Sequence, residues 1–382
     1  MTITLITRRV LRGILRYISL ILLATVFIFA KNIKYAKSDI HTLTLEKKNY
    51  ELSLEYALLN DTVDIFGFKK RELKSIKKFG SIGDLDGYDL TFRYGITDKF
   101  MLNLSISTQN LQYIGDTLKN SRYDLFLRYH LYENDFLYFN SGLSFDIGYK
   151  RNSLKDFYFR DINAMNEMIK RVLPGSDAKL LYSDGIHKLD PNDPKARAKG
   201  YYAYFKHTYT KLNTPPYVSM IDTNDNTYYA RFLTGFKNDN RIADFYIGYK
   251  KTKIKNTITT TQEILTLAKS KGYDLKKVLD RDESGLMFGF NYSFDTRHFV
   301  YEFNYEYDRY FRDSGLGYLN SNHIVKASIS YILNRHWLLS LGGKIMFRQF
   351  NGEIPYLYSK YTQTTFDHKY GYSKFSITYS FK

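Results

Sequence analysis

The chain has 382 residues, no cysteine, 37 Tyr, 28 Phe and a formal net charge of +17. The lack of cysteine excludes a disulfide framework and a thiolate metal site. The mean hydropathy of −0.41 resembles that of a soluble protein. It does not exclude a transmembrane β-barrel, because a barrel carries its apolar side chains at every second position and keeps its average hydropathy low.

The N-terminus has the pattern of a secretory signal peptide over residues 1–30. An apolar core covers residues 17–30, and Ile28 and Ala30 suit a cleavage site after Ala30. The cationic region before the core contains Arg8, Arg9, Arg12 and Arg16. The alternative is an uncleaved membrane anchor, for which the apolar run is short.

Removal of residues 1–30 takes away four Arg and no acidic residue, so the net charge falls from +17 to +13. A basic surplus suggests nucleic-acid binding in some proteins. In an exported chain with scattered basic residues, it instead predicts contact with outer-membrane lipid and acidic lipopolysaccharide or with anionic solutes, and no nucleic-acid partner.

We expect residues 31–48 to form a periplasmic segment and residues 49–382 to form the barrel. The first strand covers residues 50–59, where Leu52, Leu54 and Tyr56 alternate with Glu51 and Ser53. This two-residue period predicts one apolar and one polar face. The same alternation predicts eleven further strands, at 88–94, 102–107, 124–132, 137–150, 228–236, 243–254, 286–294, 299–309, 323–332, 337–350 and 371–382.

The connections between these strands alternate between short and long. Polar turns join five hairpins, and longer joins follow strands 1, 3, 5, 7, 9 and 11, which is typical of short periplasmic turns and long extracellular loops. The longest loops cover 151–226 and 255–283. They are predicted to carry helical stretches near 161–173 and 261–279 and a turn-rich DPNDP sequence at 190–194.

Two stretches resemble known outer-membrane sequences. The last twelve residues, GYSKFSITYSFK, resemble the C-terminal signal strand of bacterial outer-membrane β-barrels, although Lys382 follows the terminal Phe381. The phrase YGITDKFMLNLSI resembles the short periplasmic turns of the same proteins. The resemblance implies an all-β transmembrane antiparallel barrel of about twelve strands in the bacterial outer membrane, inserted by the barrel-assembly machinery. No cofactor is implied.

If apolar residues face lipid, their strand neighbours face the interior. The predicted lumen-lining residues are Arg93, Arg128, Glu302, Glu306, Asp308, Lys326, Lys344, Arg348 and Lys374. They form an acidic ladder beside a basic arc. Either they line a water-filled channel with a transverse field, or they pair as structural salt bridges in a filled barrel.

The function predicted from this pattern is a porin-like channel for passive passage of small hydrophilic solutes. A lipid-modifying enzyme is one alternative, since Ser321 and His323 lie together at an outer strand end. However, His323 shares its parity with lipid-facing residues, and His130 lies near the periplasmic end. We therefore predict no catalytic and no metal-binding residues. A surface adhesin that uses the long loops is the other alternative.

Overall fold

The computed structural model describes residues 42, 44–64, 66–67, 82–113, 116–136, 139–159, 166, 177–183, 200–213, 216–238, 240–273, 277–312, 319–358 and 369–381. The predicted signal peptide at 1–30 and the DPNDP turn at 190–194 lie outside these residues. So does the predicted helical stretch near 161–173, apart from Asn166.

The strands, in chain order, are β1 (Tyr50–Leu59), β2 (Ile82–Gly95), β3 (Phe100–Tyr113), β4 (Asp116–Phe136), β5 (Phe139–Leu154), β6 (Phe157–Phe159), β7 (Lys179–Ser183), β8 (Gly200–Phe205), β9 (Thr208–Leu212), β10 (Val218–Asn238), β11 (Arg241–Thr260), β12 (Lys277–Val278), β13 (Arg281–Asp295), β14 (Phe299–Phe311), β15 (Ser321–Ile332), β16 (Trp337–Met346) and β17 (Tyr370–Phe381). The helix α1 covers Gln262–Ser270, and a 3₁₀ turn covers Pro355–Leu357.

Twelve of these strands form one closed antiparallel barrel. Around its circumference the order is β1, β2, β3, β4, β5, β10, β11, β13, β14, β15, β16 and β17. The circle closes where β17 pairs with β1. On the other side, β10 and β11 pair with each other as a hairpin, while the short strands β6 and β12 pair with the ends of β10 and β11 and are not part of the circle. The predicted antiparallel barrel of about twelve strands is confirmed. Closure leaves no edge strand with unpaired backbone groups, which is a condition for strands to cross lipid.

The C-terminal strand closes the barrel in register with the first strand. Tyr50 pairs with Phe381, and their rings stack with centroids 5.1 Å apart and planes 11° from parallel. The predicted terminal aromatic therefore lies on the outer surface at the seam, at the same end of the barrel as the short turns.

Several strands run further than the sequence predicted. β10 and β4 each have 21 residues, and β11 has 20, whereas about 9–11 tilted residues cross a membrane. The expected long join after the third strand is wrong, because β3 continues to Tyr113 and β4 begins at Asp116. The eleventh strand is shorter than predicted and ends at Met346 rather than at residue 350.

A band of exposed apolar side chains surrounds the middle of the barrel. It includes Leu54, Leu125, Ile147, Phe232 and Leu341, each more than a third exposed. Such a band on a closed, even-stranded, single-chain barrel is the surface that faces lipid in bacterial outer membranes. The protein is therefore a bacterial outer-membrane β-barrel. Within the described residues, no helix has the length and apolar character needed to cross a bilayer.

The interior changes character from one end of the barrel to the other. At the end with the long connections, inward residues such as Leu59, Leu111 and Leu118 belong to a large buried apolar cluster. The outer elements add to this cluster: Leu180 of β7, Phe205 of β8 and Leu267 of α1 are members. The three-stranded sheet β7–β8–β9 thus caps the barrel together with α1, which is shorter than the helical stretch predicted near 261–279.

Candidate functional site

The chain between β16 and β17 turns into the barrel instead of remaining outside it. We call residues 347–358 the plug segment. Its buried residues are Gln349, Phe350, Asn351, Ile354, Pro355, Tyr356, Leu357 and Tyr358. Most of its apolar members belong to the outer apolar cluster. The segment therefore fills the barrel interior at the level where the apolar outer part meets the polar part.

Buried asparagines on separate strands hold the backbone of the plug segment. Asn152 of β5 donates to the carbonyl of Glu353 (2.8 Å), Asn256 of β11 to that of Tyr356 (2.7 Å), and Asn322 of β15 to that of Asn351 (2.6 Å). On β4, Asn120 accepts the Tyr356 hydroxyl (2.6 Å). Because these strands lie on different sides of the barrel, the segment extends across the lumen.

Gly352 adopts the left-handed backbone conformation in a turn of the plug segment. Its φ is +82°, and a Cβ at this position would lie 1.8 Å from the hydroxyl oxygen of Tyr310. That hydroxyl donates to Asp308 (2.7 Å) and to the carbonyl of Asn351 (3.3 Å). Glycine is required here both for its backbone conformation and for the space.

Next to the plug segment lies a polar cavity of about 320 Å³. Its described lining contains seven acidic and seven basic side chains, so it is formally neutral. The acidic residues are Glu51, Glu55, Asp89, Asp124, Glu302, Glu306 and Glu353, and the basic ones are Arg93, Arg122, Lys150, Arg231, Lys326, Lys344 and Lys374. Such a density of charge requires water or ion pairing.

Most of these charges form ion pairs, and six of the fourteen pair between adjacent strands. Arg93 meets Glu51 at 3.1 Å, Lys326 pairs with Glu306, and Lys374 pairs with Glu55. The acidic and basic walls foreseen from the sequence therefore neutralise each other locally. Glu302 differs, since its Oε1 is buried without a hydrogen-bond partner among the described residues.

The structure brings some of the nine predicted lumen-lining residues together and separates others from the cavity. Those that line it are Arg93, Glu302, Glu306, Lys326, Lys344 and Lys374. Asp308 lies elsewhere and binds Lys250 at 2.9 Å. Arg348 lies in the turn after β16, where its backbone N–H donates to Asn322 (3.0 Å). Parity predicts which face a residue occupies but not its height along the barrel.

Arg128, the ninth residue, belongs to a buried cluster that fills one side of the interior. It binds Asp146 with two hydrogen bonds of 2.8 and 2.9 Å, and Arg231 donates to the same carboxylate at 2.7 Å. Both guanidinium groups lie over the Phe126 ring. Asp146 is fully buried, so its charge has to be balanced by close neighbours, which among the described residues are Arg128 and Arg231.

The chain before β1 also enters the barrel, at the end with the short turns. The backbone N–H and hydroxyl of Thr42 donate to Asp244 at 3.1 and 3.0 Å, and the Ser144 hydroxyl donates to the Thr42 carbonyl. A Cβ at Gly235 would lie 2.2 Å from the Asp244 carboxylate and 2.4 Å from the Thr42 hydroxyl. Thr42 is thus fitted against the β5–β10–β11 wall.

The histidines considered for catalysis have other partners. His323 shares a 2.7 Å hydrogen bond with the Tyr305 hydroxyl, and its ring packs on that of Tyr307 at 4.9 Å. His130 lies 3.1 Å from the Ser144 oxygen. Since that hydroxyl donates to the backbone of Thr42, the histidine must be the donor. Neither arrangement presents a serine activated as a nucleophile.

The sequence analysis missed the plug segment. The run Ile354–Pro355–Tyr356–Leu357–Tyr358 was the available signal, because five consecutive apolar or aromatic residues in an expected loop indicate burial. The asparagines that bind the segment carried no such signal. They are spread over four strands, and only the closed barrel brings them together.

The sequence matches no family model and no curated protein. Among solved structures, the translocator domain of the autotransporter NalP from Neisseria meningitidis is similar over 88% of this chain and 90% of its own, with 10% identity and a TM-score of 0.41. The Ralstonia pickettii toluene transporter TbuX aligns over 89% and 90%, with 10% identity and a TM-score of 0.37. Outer membrane phospholipase A from Escherichia coli aligns over 90% and 96%, with 9% identity and a TM-score of 0.31. Likeness at this level does not assign a function.

Proposed function

We propose that the protein is a channel for passive passage of small hydrophilic solutes, and that the plug segment keeps its outer mouth closed in this structure. The observation that carries the proposal is the charged cavity of about 320 Å³ beside the segment. A barrel that served only as a scaffold would be more stable with an apolar or fully packed interior, because buried charges cost free energy.

The polar contacts that hold the backbone of the plug segment are ones that water can take over. Its carbonyls accept hydrogen bonds from Asn152, Asn256 and Asn322, and further ones from Tyr310 and Arg281. Each such bond contributes about 1 kcal/mol net, and water can replace it when the segment leaves. Passage then depends on withdrawal of the segment, while the barrel itself stays closed.

Single-channel recording tests this function. The mature protein is refolded into a planar bilayer and compared with a variant in which residues 348–358 are replaced by a glycine–serine stretch of equal length. We expect brief openings from the unmodified protein and long-lived, larger steps from the variant. If the variant resists unfolding in detergent, and is therefore folded, but conducts no current, the channel proposal is overturned and the enzyme or adhesin alternatives are favoured.

We also propose that lipopolysaccharide contacts the outer wall formed by β5, β10 and β11. Arg151, Lys253 and Lys255 are exposed there, just beyond the exposed rings of Tyr228 and Tyr249. Arg151 and Lys253 lie on either side of Asn226 at one level of the sheet. Basic side chains next to an aromatic girdle match the phosphates of outer-leaflet glycolipid.

Vesicle binding tests this contact. Phosphatidylcholine vesicles with and without lipid A are mixed with detergent-solubilised protein and with a variant carrying Lys253→Gln and Lys255→Gln. We expect the variant to lose binding to lipid A. Arg335→Gln, in a turn at the periplasmic end, is the matched control and should bind normally. Equal lipid A binding by all three proteins would contradict the contact.

A further inference from the structure

We propose that Glu353 of the plug segment occupies an anion site built by Lys344, Arg122 and Lys150, and that the same site binds a small carboxylate solute when the segment withdraws. This inference rests on the proposed channel function and names the class of solute. Glu353 would then act as a tethered substitute for the solute, which keeps the site filled while the channel is closed.

The contacts of Glu353 show that the wall provides the site. Lys344 Nζ of β16 binds its Oε1, and Arg122 Nη1 of β4 lies 3.6 Å from the same oxygen. These strands lie far apart around the barrel, so the carboxylate connects two walls. Lys150 of β5 lines the same cavity and interacts electrostatically with Glu353.

The site has more hydrogen-bond donors than Glu353 uses. The Nη2 group of Arg122 donates to Asp89 at 2.8 Å, and the Nε of Arg122 is buried without a partner among the described residues. Lys150 forms no described ion pair within 4 Å, although its charge acts on Glu353 and Asp124. Buried donors that lack partners are costly, so an incoming anion that engages them gains affinity.

The charge of the wall favours an anion once the plug segment is gone. With Glu353 the cavity has seven acidic and seven basic side chains. Without it, the wall has one more basic than acidic group. The segment therefore supplies the single negative charge that makes the cavity neutral, and its withdrawal leaves one uncompensated positive charge that attracts an anion. A low-dielectric protein wall strengthens that attraction.

The geometry points to a carboxylate rather than to a halide. Lys344 and Arg122 both approach Oε1 of Glu353, and Arg122 Nε is a further buried donor, so an anion with two oxygen acceptors can use more of the site than a halide. The site already binds a carboxylate in the form of Glu353, and the cavity volume of about 320 Å³ admits only small solutes. We therefore infer small monocarboxylates, and acetate is the simplest probe.

Chemical rescue tests the site directly. In Glu353→Ala the carboxylate is missing, and the basic groups are left without their anion. The full mature protein is refolded in detergent and its thermal unfolding is followed in acetate and in chloride at equal ionic strength. We expect acetate to raise the unfolding temperature of Glu353→Ala in a saturable way, chloride to raise it less, and the unmodified protein to respond equally to both salts.

The control is Asp282→Ala, which removes an exposed carboxylate outside the cavity and leaves the charge of the cavity wall unchanged. Acetate should have no advantage over chloride for this variant. If Glu353→Ala does not fold, Glu353→Gln, which keeps the shape and removes the charge, is examined instead. Its channels should prefer acetate over sodium by reversal potential more strongly than those of the unmodified protein.

The outcomes separate this inference from the channel proposal. Acetate-specific stabilisation of Glu353→Ala supports the site even if no variant conducts, in which case the channel proposal fails alone. Equal effects of acetate and chloride on Glu353→Ala, with conducting channels, overturn the anion site and leave the channel intact. Where only Glu353→Gln folds, an unchanged reversal potential likewise overturns the site.

Discussion

The two halves of β11 differ most clearly in the side chains that they turn outward, although both follow the same alternation. In the membrane-level half, Phe245 and Ile247 face outward and Asp244 faces inward. In the outer half, Lys253 and Lys255 face outward, and inward Ile254 joins the outer apolar cluster. β11 therefore has the outward pattern of a membrane strand in its membrane-level half and that of a soluble-protein strand in its outer half.

This inversion explains the position of the cavity. Below the change, the lumen is polar and must be solvated or paired; above it, the interior packs as an apolar core with α1 and the β7–β8–β9 sheet. The plug segment lies at the boundary and has both characters. Its Glu353 faces the charged cavity, whereas Leu357 and Tyr358 join the apolar core.

The largest expected effect comes from the charged interior of the membrane-level half. Asp146→Ala leaves Arg128 and Arg231 buried without their carboxylate, and breaking such a cluster costs about 3–5 kcal/mol. Chemical unfolding of the protein in detergent measures this loss. A loss below about 1 kcal/mol would mean that water solvates the two guanidinium groups and that this half is open rather than packed.

The outward positions of β11 give the next largest effect. Ile247→Lys places a charge against lipid and should cost about 2–4 kcal/mol if it lies near the bilayer midplane. Lys253→Ile, six residues further along the same face, should change stability by less than about 0.5 kcal/mol. Equal costs for the two substitutions, measured by unfolding in lipid vesicles, would contradict the position of the membrane boundary.

Two glycines test the fit of the plug segment. Gly352 and Gly272 have nearly the same φ, +82° and +81°, but only Gly352 has a neighbour within 4 Å of the added Cβ. Alanine in this conformation costs about 1–2 kcal/mol at either site. Gly352→Ala must also displace Tyr310, so we expect it to cost more than Gly272→Ala and to lengthen channel openings. Equal costs would mean that Tyr310 moves away freely.

The smallest effect is expected at the exposed ion pair of the outer half. Lys251 and Asp282 lie 3.8 Å apart, and both side chains are more than half exposed. Solvent screens such a pair, so Asp282→Ala should cost less than about 1 kcal/mol. A loss as large as that of Asp146→Ala, in the same unfolding assay, would contradict the difference between buried and exposed charges.

The sequence predicted the barrel because alternation is a local property of each strand. It also predicted the closing aromatic at Phe381 and the short turns. It did not predict where strands end, because in the outer extension of β4 inward Leu118 and outward Lys119 reverse the membrane pattern and resemble a loop. The reversal becomes interpretable only when an apolar core is seen to lie inside the barrel.

The site was less predictable than the fold. Parity assigned Lys344 and Glu302 to the interior, but it gave neither their heights nor their partners. The anion site needs Arg122 and Lys150, which lie more than 190 residues before Lys344 in the chain and face Glu353 from other strands. Contacts of this kind depend on barrel closure and on the path of the plug segment, which no local pattern encodes.

Thiol labelling from outside the cell tests the central claim, a polar lumen closed by the plug segment, most directly. The chain has no cysteine, so Ser328→Cys on the cavity wall introduces a unique site, and Ile329→Cys, whose side chain is exposed on the outer face, is its neighbouring control. An impermeant charged thiol reagent should modify Ser328→Cys slowly in the intact barrel. It should do so rapidly when residues 348–358 are replaced by glycine and serine, while Ile329→Cys stays unreactive in both. Equal, rapid modification of Ser328→Cys with and without the segment would contradict the claim.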